Sequence, residues 1–510
     1  MKRNIFVVCC LILSFFGCKS PEAKTEIAVE ELTIGDIHGN YEQGNYTSQE
    51  LVAVYLKRIE RFNTKTNAIT IVNPNALAIA KELDAEYERT NVLRPLHGIP
   101  IIIKDNINTV GMPTTAGAFA LKDYFPTEDA FVIKKLVQAG AIIIGKSNMA
   151  EWAFSPMHTE SSTGGITRNP YNPDYVPAGS SGGTAASVAA NLAVGGLGTD
   201  TGNSIRGPSS HCSLVGFRTT LGLISREGIV PLYLRNDVVG PMCRTVADAT
   251  RMMEVMVGMD PKDPITKNSL GKTKGSYSGF LIKNGLEGAR IGVLRELSES
   301  GIDPEIKELF KKAIADLDTL GAEIIDPGNI PGFSELRQDQ WCATFKEDLE
   351  SFLAAYVKRD TIKTLEDVVR IGSTSEFSNK RLKAHVESSG KKSEGKPCLD
   401  AYHDDRRIAF REAIEKVMDS LELDALVYPS WNFKPARIEN YDTEYKGDNN
   451  QVIAPHTGQP AFTVPMGFSK GDLPAGLQFL GRMYSEATLV KLAYAYEQGT
   501  KNRKPPRMDP

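Results

Sequence analysis

The chain is poor in the residues that build stapled or metal-bound folds. It has 7 cysteines in 510 residues, and three of them, Cys9, Cys10 and Cys18, lie at the extreme N-terminus. The other four, Cys212, Cys243, Cys342 and Cys398, are widely spaced, with no C-x-x-C pair and no histidine cluster. That spacing argues against a disulfide scaffold and against a metal site, and leaves open whether an isolated pair oxidises. Neither sign of charge dominates: 59 Lys and Arg face 63 Asp and Glu, for a net charge of −4 and a pI of about 6.1. The basic residues are scattered, so no nucleic-acid partner is indicated. The apolar run from Ile5 to Phe16 is too short to span a bilayer as a stable helix. No internal repeat is present. What is abundant is ordinary: 41% hydrophobic residues, 44 Gly and 28 Pro, the proportions of a globular protein with a sizeable core.

The N-terminus carries a separate message. Lys2 and Arg3 precede the short apolar run, which ends at Gly17 and Cys18. This resembles a bacterial lipoprotein signal, although Phe15 stands where a smaller aliphatic residue is more usual. The resemblance implies cleavage after residue 17, acylation of Cys18 and a membrane-anchored protein exported to the cell envelope, on the periplasmic face or the cell surface. Residues 18–45 then read as a polar tether and residues 501–510 as a tail, with one domain over residues 46–500.

Within that domain the pattern alternates between strand and helix. Thr47-Ser48-Gln49-Glu50 is a capping box, followed by Leu51, Tyr55, Ile59 and Phe62 at helical spacing. "IPIIIKDN" and "AIIIGKSN" are short continuous apolar runs that predict buried, parallel strands. "AFVIKKLVQAG" and the Ala-rich "TAASVAANLAV" predict helices, and a βαβ-type unit follows around a helix from Asp303 to Leu320. "LGKTKGSYSG" and "ESSGKKSEGK" read as polar loops, and "DALVYPS" and "PAFTVPMGF" as late strands. The fold class is α/β, a single large domain with a twisted mixed sheet flanked by helices. A helix-rich, irregular segment at about 333–403 is of the sort that covers a site.

Three stretches carry residues suited to chemistry. Lys104 ends the run Ile101-Ile102-Ile103; a lysine at a strand end ordinarily extends its ammonium to water, but a dry setting would lower its pKa and supply a neutral amine. "PAGSSGGTAASVAA" surrounds Ser180 and Ser181 with glycines that permit unusual backbone conformations. Read as G-x-S-x-G, it makes Ser181 the nucleophile of a histidine-dependent hydrolase. No GK[ST] ending follows, so it is not a nucleotide-binding loop. "GTDTGNSIRGPSS" offers successive N–H groups at Thr201, Gly202, Asn203 and Ser204 that could converge on an oxyanion. None of the 7 histidines sits in a motif that marks a catalytic base.

In this order and spacing, "IIIKDNINTVGMPTTAG", "PAGSSGGTAASVAA" and "GTDTGNSIRGPSS" closely resemble the amidase signature family. "VGFRTTLGLISREGIVPL", "VGPMCRTVADA", "TGQPAFTVPMGF" and "LPAGLQFLGR" extend the likeness over nearly all of the chain after about Thr47, with the motif core at about 95–255. The resemblance implies a Ser–cis-Ser–Lys triad of Ser204, Ser180 and Lys104, with a cis Gly179–Ser180 bond and Ser204 as nucleophile. It also implies an oxyanion site at Thr201, Gly202 and Asn203, loop support from Asp200 and Arg206, a small-molecule amide substrate, and neither metal nor cofactor. Two departures stand out: Asn203 where the family often has glycine, and Ala178 where it often has a first glycine. The same fold and triad serve the glutaminase-like subunit of a tRNA-dependent amidotransferase, which is an alternative reading. A binding lipoprotein that has lost catalysis is another.

Overall fold

A computed structural model describes residues 27–387, 390 and 395–508. Its centre is one mixed sheet of eleven strands, numbered β1–β11 in chain order. The N-terminal half supplies β1 (Ile69–Val72), β2 (Pro100–Lys104), β3 (Ile142–Ser147), β4 (Gly195–Asp200), β5 (Val215–Arg218) and β6 (Val238–Cys243). The C-terminal half supplies β7 (Arg290–Val293), β8 (Glu323–Ile325), β9 (Ala425–Pro429), β10 (Ala461–Ser469) and β11 (Leu473–Leu480). Across the sheet the order is β1-β3-β2-β4-β6-β5-β10-β11-β9-β7-β8.

Strand β2 pairs parallel with β3 on one side and β4 on the other, and every residue of it is buried. A strand covered on both faces needs apolar, β-branched residues throughout, which is what Ile101, Ile102 and Ile103 supply. The expected βαβ unit is also present: β7, helix Pro304–Thr319 capped by Asp303, and β8 in parallel register with β7. Helix Gly182–Ala189 packs on β2 and β4. Its small side chains permit that approach; a Cβ on Gly183 would lie 2.2 Å from the Asn148 carbonyl oxygen.

Two boundaries differ from the sequence reading. Residues 27–45 of the expected tether are part of the body: helix Ile34–Glu42 is fixed by a Thr33 capping box and buries Ile34, Ile37 and Tyr41. The expected tail is also docked, with Arg503 donating to both Glu31 carboxylate oxygens at 2.7 Å and to the Ser213 carbonyl at 2.8 Å. The apolar residues in "TIGDIHGNY" are too few to stand out among polar neighbours, and an arginine near a terminus announces no partner. Residues 1–26, with the signal and Cys18, lie outside the described residues, as does part of "ESSGKKSEGK".

The segment at 333–403 is helical, as expected, with helices Phe345–Phe352, Leu365–Ile371 and Glu376–Glu387. It has a small core of its own, including Phe345, Leu349, Phe352, Leu365 and Leu382, packed against Trp152, Phe154 and Tyr233. Cys342 and Cys398 are joined by a disulfide that closes this excursion on itself, while Cys212 and Cys243 are buried and free.

Candidate active site

Lys104, Asp200 and the loop after it meet because β2 and β4 are parallel neighbours whose C-terminal ends open on the same side. Lys104 is completely buried. Its Nζ donates to Ser180 Oγ at 2.7 Å and to Thr199 Oγ1 at 2.8 Å. Burial lowers its pKa to about 7, against the opposing pull of the Asp200 and Asp237 carboxylates. At neutral pH a large fraction of Lys104 is therefore an uncharged amine with a free lone pair.

The Gly179–Ser180 peptide is cis, as the resemblance implies. The glycines of this loop serve a different purpose from the one expected. None of Gly179, Gly182 and Gly183 has a positive φ; the left-handed residue is Ala178, at φ 61°. Close approach is what excludes side chains here, since a Cβ on Gly179 would sit 2.4 Å from the carbonyl oxygens of both Ser155 and His158. Ser181 is turned away into the sheet, where its hydroxyl donates to the Thr199 carbonyl at 3.2 Å. It has no histidine beside it among the described residues, so the elbow reading of Ser181 has no geometric support.

The loop from Asp200 to Arg206 is held by buried charge. Asp200 accepts from Arg206 Nε at 3.0 Å, from Arg218 Nη1 at 2.8 Å and from the Ile205 N–H at 3.2 Å. Burial raises the pKa of this carboxyl, but the two guanidinium groups outweigh it and bring the value down to about 2. Arg206 also donates to the Gly202 carbonyl at 2.7 Å and the Asn450 carbonyl at 2.9 Å, so one side chain spans the loop. Thr201 Oγ1 donates to Asp237 at 2.5 Å. Among the described residues no protein acceptor takes up the N–H groups of Thr201, Gly202, Asn203 or Ser204.

Ser204 opens onto a cleft of about 640 Å³, together with Thr201, Gly202 and Asn203. Its hydroxyl donates to Asn203 Oδ1 at 3.3 Å and not to Ser180. Asn203 is in turn fixed by its Nδ2, which donates to the Pro156 carbonyl at 3.2 Å. The far wall of the cleft comes from the helical excursion: Trp341, Ala343, Phe377, Arg381 and His385. Thus the structure brings together Lys104, Ser180 and the Asp200–Arg206 loop, and shows no hydrogen bond between Ser180 and Ser204.

Sequence reasoning missed Thr199, the second partner of Lys104, although it lies inside the third motif. It also missed Asn106, which donates to Thr199 Oγ1 at 3.1 Å, and Arg218 and Asp237, whose positions only the sheet order reveals. His211 is a packing residue: it lies 4.4 Å from the Trp431 ring, neither of its ring nitrogens has a partner among the described residues, and burial lowers its pKa to about 3. No group of His, Cys, Asp and Glu suited to a metal ion occurs among the described residues.

Comparison with known proteins gives the family. The amidase family model matches residues 50–490. A probable amidase of Arabidopsis thaliana is 34% identical, covering 98% of this chain and 95% of its own. A glutamyl-tRNA(Gln) amidotransferase subunit of Thermoanaerobacter pseudethanolicus is 36% identical, covering 93% and 98%. Among solved structures, the peptide amidase of Stenotrophomonas maltophilia superposes with a TM-score of 0.83 at 33% identity over 94% of this chain and 99% of that one. An amidase family protein of Bacillus anthracis gives 0.81 at 31%, over 94% and 93%. With the strand-end lysine, the cis peptide and the serine loop on one sheet, the chain belongs to the amidase signature family, hydrolases of the carboxylic amide bond.

Proposed function

We propose that this protein hydrolyses a carboxylic amide in the bacterial cell envelope, anchored through an acylated Cys18, with Ser204 as nucleophile and Ser180 and Lys104 as its proton relay. The observation that carries the reading is the fully buried Lys104 Nζ held 2.7 Å from Ser180 Oγ, beneath the cleft that Ser204 lines. The relay requires the Ser204 hydroxyl to leave Asn203 Oδ1 and bond to Ser180. Neutral Lys104 accepts the Ser180 proton as Ser180 accepts that of Ser204, and Ser204 Oγ bonds to the carbonyl carbon.

The N–H groups around Thr201, Gly202, Asn203 and Ser204 then hold the oxyanion; one such donor contributes about 3–4 kcal/mol to the barrier reduction. The proton returns through Ser180 to the amide nitrogen, the C–N bond breaks, and the amine or ammonia leaves. Water, activated by the same relay, attacks the acyl-enzyme and releases the acid. Asp200 and Arg206 act only by holding the loop.

The envelope location rests on Lys2, Arg3, the short apolar run and Cys18. Only residues 19–26 separate that cysteine from the described body, a reach of at most about 30 Å, so the anchor would hold the enzyme close to the membrane. The glutaminase-like reading draws on the amidotransferase relatives, and needs cytoplasmic partners that an exported protein does not meet.

The test is an amide panel, primary and substituted, given to the full-length protein in detergent beside Ser204→Ala, with cell fractionation of wild type and Cys18→Ala. Turnover lost in Ser204→Ala, and fatty-acid labelling and membrane recovery lost in Cys18→Ala, are the expected results. Turnover surviving in Ser204→Ala overturns the nucleophile, and a cytosolic wild type overturns the location.

A further inference from the structure

The wall of the cleft carries one unbalanced charge. Of the described residues lining it, none is Asp or Glu, and the single cation among them is Arg381, on helix Glu376–Glu387. His385, one turn on, is neutral near pH 7, because burial and then the neighbouring Arg381 charge push its pKa down to about 4. Among the described residues Arg381 has no carboxylate within ion-pair distance. Its Nη2 donates to Tyr233 Oη at 3.3 Å, and its Nε is buried with no partner.

The acids around Tyr233 are already committed. Asp237 accepts from Thr201 Oγ1 and from the N–H groups of Leu232 and Tyr233, and Asp348 from Thr344 Oγ1 and the Leu234 N–H. A guanidinium with no carboxylate partner and an unused N–H favours an anion that is planar and accepts at two oxygens. The apolar rings of Trp341 and Phe377 beside it suit the hydrocarbon that would join such an anion to the reacting amide.

We propose that the cleft selects amides that bear a free carboxylate, and that Arg381 receives this group while Ser204 attacks the amide. The assignment rests on the reading of Ser204 as nucleophile. It is tested with two pairs of substrates, each a carboxylate and its isopropyl isostere. The monoamide of glutaric acid against 5-methylhexanamide places the charge on the acyl side. N-acetyl-β-alanine against N-isopentylacetamide places it on the amine side.

In the full-length enzyme the carboxylate member of one pair is favoured by about 10- to 100-fold in kcat/KM, the range of a charge-assisted hydrogen bond. That ratio falls close to one in Arg381→Gln and is partly kept in Arg381→Lys. A ratio near one in the wild type for both pairs, or one that survives Arg381→Gln, overturns the proposal; if the neutral amides are still cleaved in a Ser204-dependent way, the nucleophile assignment stands. If no amide is turned over, calorimetric binding of the same four compounds decides. Carboxylate binding weakened about tenfold in Arg381→Gln supports the site, and equal binding overturns it.

Discussion

The floor of the cleft includes the loop Thr201–Ser204 that leaves β4, and this loop adjoins a fully buried group of Lys104 at the end of β2, Asp200 at the end of β4, Ser180 and Arg206. The facing wall is a helical excursion with a small core of its own, joined to itself by the Cys342–Cys398 disulfide and presenting half-buried side chains. Lys104, Asp200 and Arg206 are each fixed there by several partners, so their geometry is set by the sheet. In the wall, residues such as Trp341 and Arg381 are held by few contacts and are free to differ in chemistry without disturbing the strands. On the proposed reading, reaction type belongs to the floor and substrate choice to the wall, a division common to folds that graft variable segments on a rigid scaffold.

The largest expected contrast is between Lys104→Ala and wall variants. Removing the relay's terminal base is expected to lower kcat by about 10⁴ or more, read by steady-state kinetics. Next comes the buried charge cluster. Asp200→Asn leaves the Arg206 and Arg218 guanidinium groups without their shared carboxylate, and is expected to cost about 3–5 kcal/mol in denaturant unfolding. A smaller loss would mean that water or another group balances those charges.

The pH dependence sharpens the same contrast. In the proposed relay Lys104 acts as the neutral amine, and burial lowers its pKa to about 7. Activity should rise with pH up to about that value and fall about tenfold per unit below it. The neutral histidine of the wall, His385, should leave no inflection in the range from about 5 to 8. The smallest effect is expected from Trp341→Ala, which should raise KM by about tenfold or less for substrates with an apolar body, with a smaller change in kcat.

What could be read in the sequence follows the same division. The strands β2 and β3, the helix from Pro304 and the three motifs are local patterns, in which one stretch of chain carries both the structural signal and the reactive group. Arg218 and Asp237 are legible only once the sheet order brings β5 and the loop before β6 to the end of β4. The helix at Ile34–Glu42 and the docking of Arg503 were hidden because their burial comes from distant partners, Glu31 for Arg503 and the Asp248 carboxylate for the Ile34 N–H. The glycine loop was read for conformational freedom, whereas its glycines answer to the closeness of the Ser155–His158 backbone, a contact that sequence cannot display.

The central claim is that Ser204, not Ser181, forms the bond to substrate. Its most direct test is to trap the acyl-enzyme with a reactive ester or a fluorophosphonate and locate the adduct by peptide mass spectrometry. The account predicts modification of Ser204, abolished in Ser204→Ala and strongly slowed in Lys104→Ala. An adduct on Ser181, formed at an undiminished rate in Lys104→Ala, would contradict it.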